Sequence, residues 1–258
     1  MLNRYDLYQL AVQSPDLQAR FLRALHPATP TTLREDFSGP AALARAWIAL
    51  DSRHRALAVD RDPEPLAHAR ARLAADQPDA ATRVEFLEQD VRACRARADL
   101  IAAFNFALCE LHERPHLLDY LRAAHASLTA GGFLACDLYA GAHALTPGTS
   151  KATIPTPSGP LRYTWEQRHA DPLTARVENA MHFKPSRQSP IRDAFVYHWR
   201  LWSIPELRDA MIDAGFSSTE VHLSYGDALD GDGSPIPAPH QPGDTTDPDF
   251  VAYIIART

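Results

Sequence analysis

Five short apolar runs, each separated from the next by a helical or basic stretch, fill the first 140 residues and leave few folds open. "LREDF" (33–37), "RALAVD" (55–60), "VEFLEQD" (84–90), "DLIAAFN" (99–105) and "FLACDLY" (133–139) read as strands. Between them "PAALARAWIAL", "DPEPLAHARARLAAD" and "RPHLLDYLRAAHASLTAGG" read as helices, the second with Asp62 as N-cap and Pro63 at its first position, the third closed by glycine. A short basic helix or loop follows "VEFLEQD". Strands that alternate with helices cannot pair by hairpins, so they form a parallel sheet with helices on both faces. The fold class is α/β.

After Tyr139 the rhythm changes. "PLRYTWEQRHADPLTARVENAMHF" reads as two strands around an Asp171-Pro172 turn and "DAFVYHWRLWS" as a third, with the alternation of antiparallel pairing. "IPELRDAMIDAGF" is a helix ending at Gly215. "TEVHLSY" and "FVAYIIA" are late strands joined by the Gly-, Pro- and Asp-rich segment 226–248, which is too polar to bury and reads as a surface loop. The resulting division is 1–30, 31–140 as an α/β core, 141–203 as an antiparallel insertion, and 204–258 as the last helix and two strands that complete the core.

Composition excludes several classes. Across 258 residues, 45% hydrophobic and 22% charged content is that of an ordinary globular chain. A formal charge of −6 argues against a nucleic-acid partner, which needs a basic face. No apolar run approaches the roughly 18 residues of a membrane span, and "MLNRYDLYQL" lacks the core of a secretion signal, so the expectation is a cytoplasmic protein without a membrane partner. Cys94, Cys109 and Cys136 are widely spaced and read as free thiols; no metal site is expected. The sequence leaves open whether the chain is a homo-oligomer.

In an open parallel sheet, ligands bind beyond the carboxyl ends of the strands, near the point where strand order reverses. The turn Phe37-Ser38-Gly39-Pro40-Ala41 holds one glycine, where a dinucleotide would require several to approach its pyrophosphate. It reads either as an ordinary strand-to-helix connection or as the seat of a cofactor without phosphate, such as an adenosyl sulfonium. Asp60 ends the second strand 21 residues after Gly39, where a carboxylate accepts from a ribose diol. Asp90 ends the third strand and is placed to accept from an adenine amine while the Val91 backbone donates to the ring.

These residues resemble those of the class I S-adenosylmethionine-dependent methyltransferases. The likeness rests on Glu35 and Gly39 after strand one, Asp60 after strand two, Asp90 after strand three, and "LTAGGFLACDLY". It implies a Rossmann-like, seven-stranded, mostly parallel sheet with a C-terminal antiparallel strand hairpin, and S-adenosylmethionine as cofactor. Phe37 and Ala41 stand where the family usually has glycine. The opening "YDLY" is similar to that of some small-molecule N-methyltransferases, in which this segment folds over the cofactor and an insertion after strand five covers the acceptor pocket. By that resemblance residues 1–30 are a helical lid carrying Tyr5 and Tyr8, and 141–203 is a substrate cap.

On this reading Phe37, Ser38, Arg61, Asn105 and Phe106 join the cofactor contacts. Glu110 and His112, in "NFALCELHER", are the nearby groups able to take a proton, with Asp137 and Tyr139 comparable candidates at the end of strand five. Tyr163, Trp165 and Gln167 share one strand face, and Phe195, Tyr197 and Trp199 share another. Most of these aromatics are expected in the core, with one or two lining a pocket. The expected function is methyl transfer to a small-molecule amine or hydroxyl. A nicotinamide-dependent oxidoreductase and a noncatalytic S-adenosylmethionine-binding sensor or partner subunit are the alternatives.

Overall fold

The structure is a computed structural model that describes residues 2–186, 188–226, 228–231, 233–241 and 243–258. Two helices, α1 (Arg4–Val12) and α2 (Pro15–Leu25), precede an alternating core. That core runs β1 (Thr32–Asp36), α3 (Ala42–Leu50), β2 (Arg55–Asp60), α4 (Pro63–Asp76), β3 (Val84–Glu88), β4 (Ala98–Ala103), α5 (Arg114–Ser127) and β5 (Leu128–Gly141). Four strands follow, β6 (Gly148–Ile154), β7 (Leu161–Asp171), β8 (Arg176–Pro185) and β9 (Ile191–Arg200). The chain closes with α6 (Ile204–Asp213), β10 (Ser218–His222), a two-stranded ribbon of β11 (Ala228–Leu229) and β12 (Pro235–Ile236), and β13 (Asp249–Arg257).

The main sheet has seven strands in the order β10-β13-β5-β4-β1-β2-β3. β1 to β5 are parallel, whereas β13 runs antiparallel to both β5 and β10. Residues from α2, α3 and α4 pack on one face of this sheet and residues from α5 and α6 on the other. Strand order reverses between β1 and β4, so the connections leaving their carboxyl ends go to opposite faces and open a crevice there.

Local signals explain the helix boundaries. Asp62 caps α4 through the Glu64 amide at 2.9 Å, with Pro63 at the first position. α6 has a full capping box of Ser203 and Glu206, and its chain turns away at Gly215, whose φ of +110° suits glycine.

The insertion is a four-stranded antiparallel sheet, β6-β7-β8-β9, one strand more than expected. β6 carries no strand signal in the sequence because it is an edge strand, exposed almost throughout, and "GTSKATI" shows no apolar alternation. The ribbon β11-β12 was likewise expected as loop; Asp227, Asp232 and Pro242 of the same segment lie outside the described residues. A third apolar cluster joins the N-terminus to the insertion, with Leu7 of α1 fully buried against Leu161, Met181 and Phe183. Burying a leucine of this kind stabilises by roughly 1.5–3 kcal/mol, which holds α1 on the four-stranded sheet and over the crevice. Among the described residues no helix is long and apolar enough to cross a membrane.

Candidate active site

The turn after β1 takes a glycine-like path with only one glycine. Phe37, Gly39 and Ala41 all have left-handed backbones, with φ of +53°, +49° and +51°. For the two non-glycine residues this costs on the order of 1–2 kcal/mol each, so surrounding contacts must impose it. The Phe37 ring packs edge-on to Tyr120 at 5.6 Å, Ala41 is fully buried, and the Ser38 amide donates to the Val59 carbonyl at 3.0 Å.

Two carboxylates brace this turn from opposite sides. Glu35 lies buried behind it, where Oε2 accepts from the Ala44 amide at 2.7 Å in the first turn of α3. Burial raises its pKa to about 8, against the pull of the amides and of Arg45. Glu35 is therefore a supporting group and does not line the cavity. Asp60 lies in front: Oδ2 accepts from the Gly39 amide at 2.7 Å and Oδ1 from the Asp62 amide at 2.9 Å. Each carboxylate oxygen has a further lone pair, and Asp60 is on the cavity wall.

The cavity encloses about 470 Å³, within the range of small-molecule sites. Its floor comes from the ends of β1, β2, β3 and β4, and its roof from α1 and β9. Of the residues singled out in the sequence, Tyr5, Tyr8, Phe37, Ser38, Gly39 and Asp60 line it. So do Arg61, Asp90, Val91, Asn105 and Glu110. Phe106 stands behind the wall, its ring 5.1 Å from Tyr139 and 6.0 Å from Trp199.

Asp90 is not free. Arg92 binds it through Nε at 3.0 and 3.1 Å and through a terminal nitrogen at 2.6 Å, and the Arg92 amide adds a bond at 2.8 Å. These bonds hold the Asp90 carboxyl below its ordinary range and fix its orientation at the cavity edge.

The candidate proton acceptors separate. Glu110 faces the cavity, and burial raises its pKa despite an ion pair with Arg61 at 3.4 Å. His112 does not line the cavity: Nε2 donates to the His198 carbonyl at 2.6 Å and Arg176 donates to Nδ1. Both ring nitrogens are spent on joining the loop after β4 to β8 and β9. Tyr139 also lies off the cavity, donating to Gln167 at 3.0 Å and accepting from Asn179 at 3.2 Å, which ties β5 to the four-stranded sheet. Asp137 is buried and accepts from the amides of Asn105 at 3.0 Å and Phe106 at 2.6 Å.

The aromatic row on β9 faces the cavity more fully than expected, with Phe195, Tyr197 and Trp199 all on its wall. Tyr197 stacks on Trp199 at 4.4 Å, and Tyr8 meets Phe195 edge-on at 5.1 Å. Their spacing of two was visible in the sequence; that α1 and the crevice would share this face was not. Arg4 and Gln13, also on the wall, carry no sequence signal of that role.

A cavity beyond the carboxyl ends of the strands at the reversal point, under a helix and an antiparallel cap, in a sheet with antiparallel β13, defines the class I S-adenosylmethionine-dependent methyltransferase fold. Solved structures agree. S-adenosylmethionine-bound CalS10, an amino pentose methyltransferase from Micromonospora echinaspora, is 15% identical with a TM-score of 0.68, covering 100% of this chain and 98% of that one. The CcbJ methyltransferase from Streptomyces caelestis is 18% identical with a TM-score of 0.66 over 95% and 97% of the two chains. An S-adenosylmethionine-dependent methyltransferase from Clostridium acetobutylicum is 12% identical with a TM-score of 0.66 over 97% and 94%. No protein-family model matches the sequence, and no curated protein matches it.

The cavity residues also fit the cofactor of that class. Ser38 Oγ is buried on the wall with no hydrogen-bond partner among the described residues. Space is open where a Gly39 side chain would stand. Asp60 presents a carboxylate beside both. Among the described residues no group of three or more His, Cys, Asp or Glu side chains is placed to hold a metal ion.

Proposed function

We propose that this protein is an S-adenosylmethionine-dependent methyltransferase acting on a small-molecule amine or hydroxyl. The observation that carries the reading is the Asp60 carboxylate, fixed by the Gly39 amide at 2.7 Å on the wall of a roofed cavity at the reversal point of the sheet. A ribose diol donates to such a group in a partly dry site, and Asp90 with Val91 stands at the adenine side. The left-handed backbone at Phe37, Gly39 and Ala41 keeps the turn open to a cofactor that carries no phosphate.

When bound, the cofactor supplies an electrophilic methyl group on its sulfonium, by in-line displacement. The protein then has to bind, orient and exclude water. Asp60 and Asn105 hold the cofactor side of the cavity. Tyr8, Phe195, Tyr197 and Trp199 form an aromatic wall on the roof, suited to a flat or cationic acceptor. Glu110 is the carboxylate on that wall whose raised pKa suits it to accept a proton from an amine or hydroxyl. The reading of 1–30 as a lid and 141–203 as a substrate cap is supported by the contributions of α1 and β9 to the roof.

Calorimetry with S-adenosylmethionine, S-adenosylhomocysteine and NAD tests the cofactor; binding of the first two without NAD is expected, and NAD binding alone would overturn the reading in favour of an oxidoreductase. A product screen over amines, phenols and carboxylates tests turnover. Cofactor binding with no product across a broad library would instead support a sensor.

A further inference from the structure

Two consecutive residues after β4, Asn105 and Phe106, have left-handed backbones, both with φ of +63°. Neither is glycine; asparagine tolerates this conformation, but for phenylalanine the local sequence offers no reason for it. What holds them is on the neighbouring strand. Asp137 of β5 is 5% exposed, and its two oxygens are divided between them: Oδ2 accepts from the Asn105 amide and Oδ1 from the Phe106 amide.

The consequence reaches the cavity. Asn105 lines it directly, Phe106 backs it through Trp199, and the short helical turn that follows (Ala107–Glu110) brings Glu110 to the wall. The two amide bonds to Asp137 set the direction in which that turn starts.

We propose that Asp137 is a positioning residue, whose ionised carboxylate holds the Asn105-Phe106 pair and so presents segment 105–110 to the cavity. A protonated carboxyl cannot do the same, because one oxygen becomes a hydroxyl and ceases to be a full acceptor. The groups facing Asp137 are the thiols of Cys109 and of its strand neighbour Cys136, and the phenols of Tyr8, Tyr225 and Tyr253. Burial keeps these thiols and phenols neutral, and among the described residues no cation faces the carboxylate. Only backbone donors offset its desolvation, and burial accordingly moves its pKa up to about 7. The hold therefore strengthens as pH rises through about 7 and weakens as it falls.

The effect on cofactor affinity rests on the methyltransferase reading, whereas the loop geometry does not, so the experiment has two arms. Hydrogen exchange of the ligand-free protein follows peptides covering 104–111, corrected for intrinsic pH dependence, with β2 as internal reference. Exchange in wild type is expected to be faster at about pH 6 than at about pH 8, and Asp137→Asn to exchange fast at both. Unchanged protection in Asp137→Asn at the higher pH, or no pH response in wild type, overturns the proposal; the wild-type comparison stands even where the variant does not fold.

In the second arm, calorimetry with S-adenosylhomocysteine is expected to show affinity falling up to about ten-fold from pH 8 to pH 6 in wild type, and a flat, weak profile in Asp137→Asn. Glu35→Gln is expected to keep the fall, which separates the two buried carboxylates. A wild-type profile retained in Asp137→Asn overturns the proposed effect on affinity. Absence of any binding, with the exchange result as expected, sinks the cofactor reading and leaves the loop assignment intact.

Discussion

Asp60 accepts a hydrogen bond from the backbone amide of Gly39, 21 residues earlier in the chain, at 2.7 Å. The carboxylate and the turn after β1 are thus one unit, and a change to either is felt by both. Its second oxygen is taken by the Asp62 amide, at the start of α4.

Removing that carboxylate should therefore cost ligand affinity and also loosen the turn. Loss of a charge-assisted hydrogen bond is worth about 1.5–3 kcal/mol, so Asp60→Ala is expected to weaken S-adenosylhomocysteine binding by roughly 10- to 100-fold. Calorimetry checks this, with circular dichroism to show the variant folded. Affinity unchanged in a folded variant would remove the central support of the proposed function.

The backbone of the turn makes an asymmetric prediction. Space is open where a Gly39 side chain would stand, so Gly39→Ala is penalised by its φ of +49° and not by a clash. The expected loss is about 1–2 kcal/mol, read as a lowered melting temperature. Ala41→Gly relieves comparable strain but removes a buried methyl group and adds chain entropy, terms of about 1 kcal/mol each, so its net effect is expected to be the smaller of the two.

Glu35 should leave a signature in the pH dependence of stability. Its folded pKa, raised to about 8, lies above its unfolded value of 4.5, so the folded state keeps the proton that the unfolded state releases. That favours folding at low pH, and the advantage declines as pH rises from about 5 to about 8. The wild-type melting temperature minus that of Glu35→Gln is therefore expected to fall across this window. The buried histidines His54 and His222, whose pKa values are lowered, act in the opposite direction but cancel in the difference. A difference that rises with pH would refute the assignment.

Glu110 and His112 lie two residues apart and are expected to separate cleanly. On an acceptor found by the product screen, Glu110→Gln should slow methyl transfer on the order of 10²-fold or more, as for loss of a general base. His112→Ala should leave affinity for S-adenosylhomocysteine within about two-fold and instead lower stability by up to about 1 kcal/mol, since it removes the bonds to the His198 carbonyl and to Arg176, which keeps Glu113. Equal losses of turnover in both variants would reject this division.

Tyr139 is expected to act in the same structural sense. Its hydroxyl bridges Gln167 and Asn179, and Asn179 is fully buried. Tyr139→Phe should lower stability by about 1–3 kcal/mol, measured by denaturant unfolding, with affinity for S-adenosylhomocysteine unchanged.

Much of this molecule was legible in its sequence because the signals are local. Apolar runs of strand length between amphipathic helices, Asp62-Pro63 at a helix start and Gly215 at a helix end act through backbone geometry and burial over a few residues. They determined the α/β core, its antiparallel close and the positions of Gly39, Asp60 and Asp90. Tertiary structure alone decided the rest, because those outcomes depend on groups far apart in the chain. It took packing against Tyr120 and the buried face of α3 to make Phe37 and Ala41 behave as glycines. The same long-range contacts turned His112 and Tyr139 into struts and brought α1 and β9 together over one cavity.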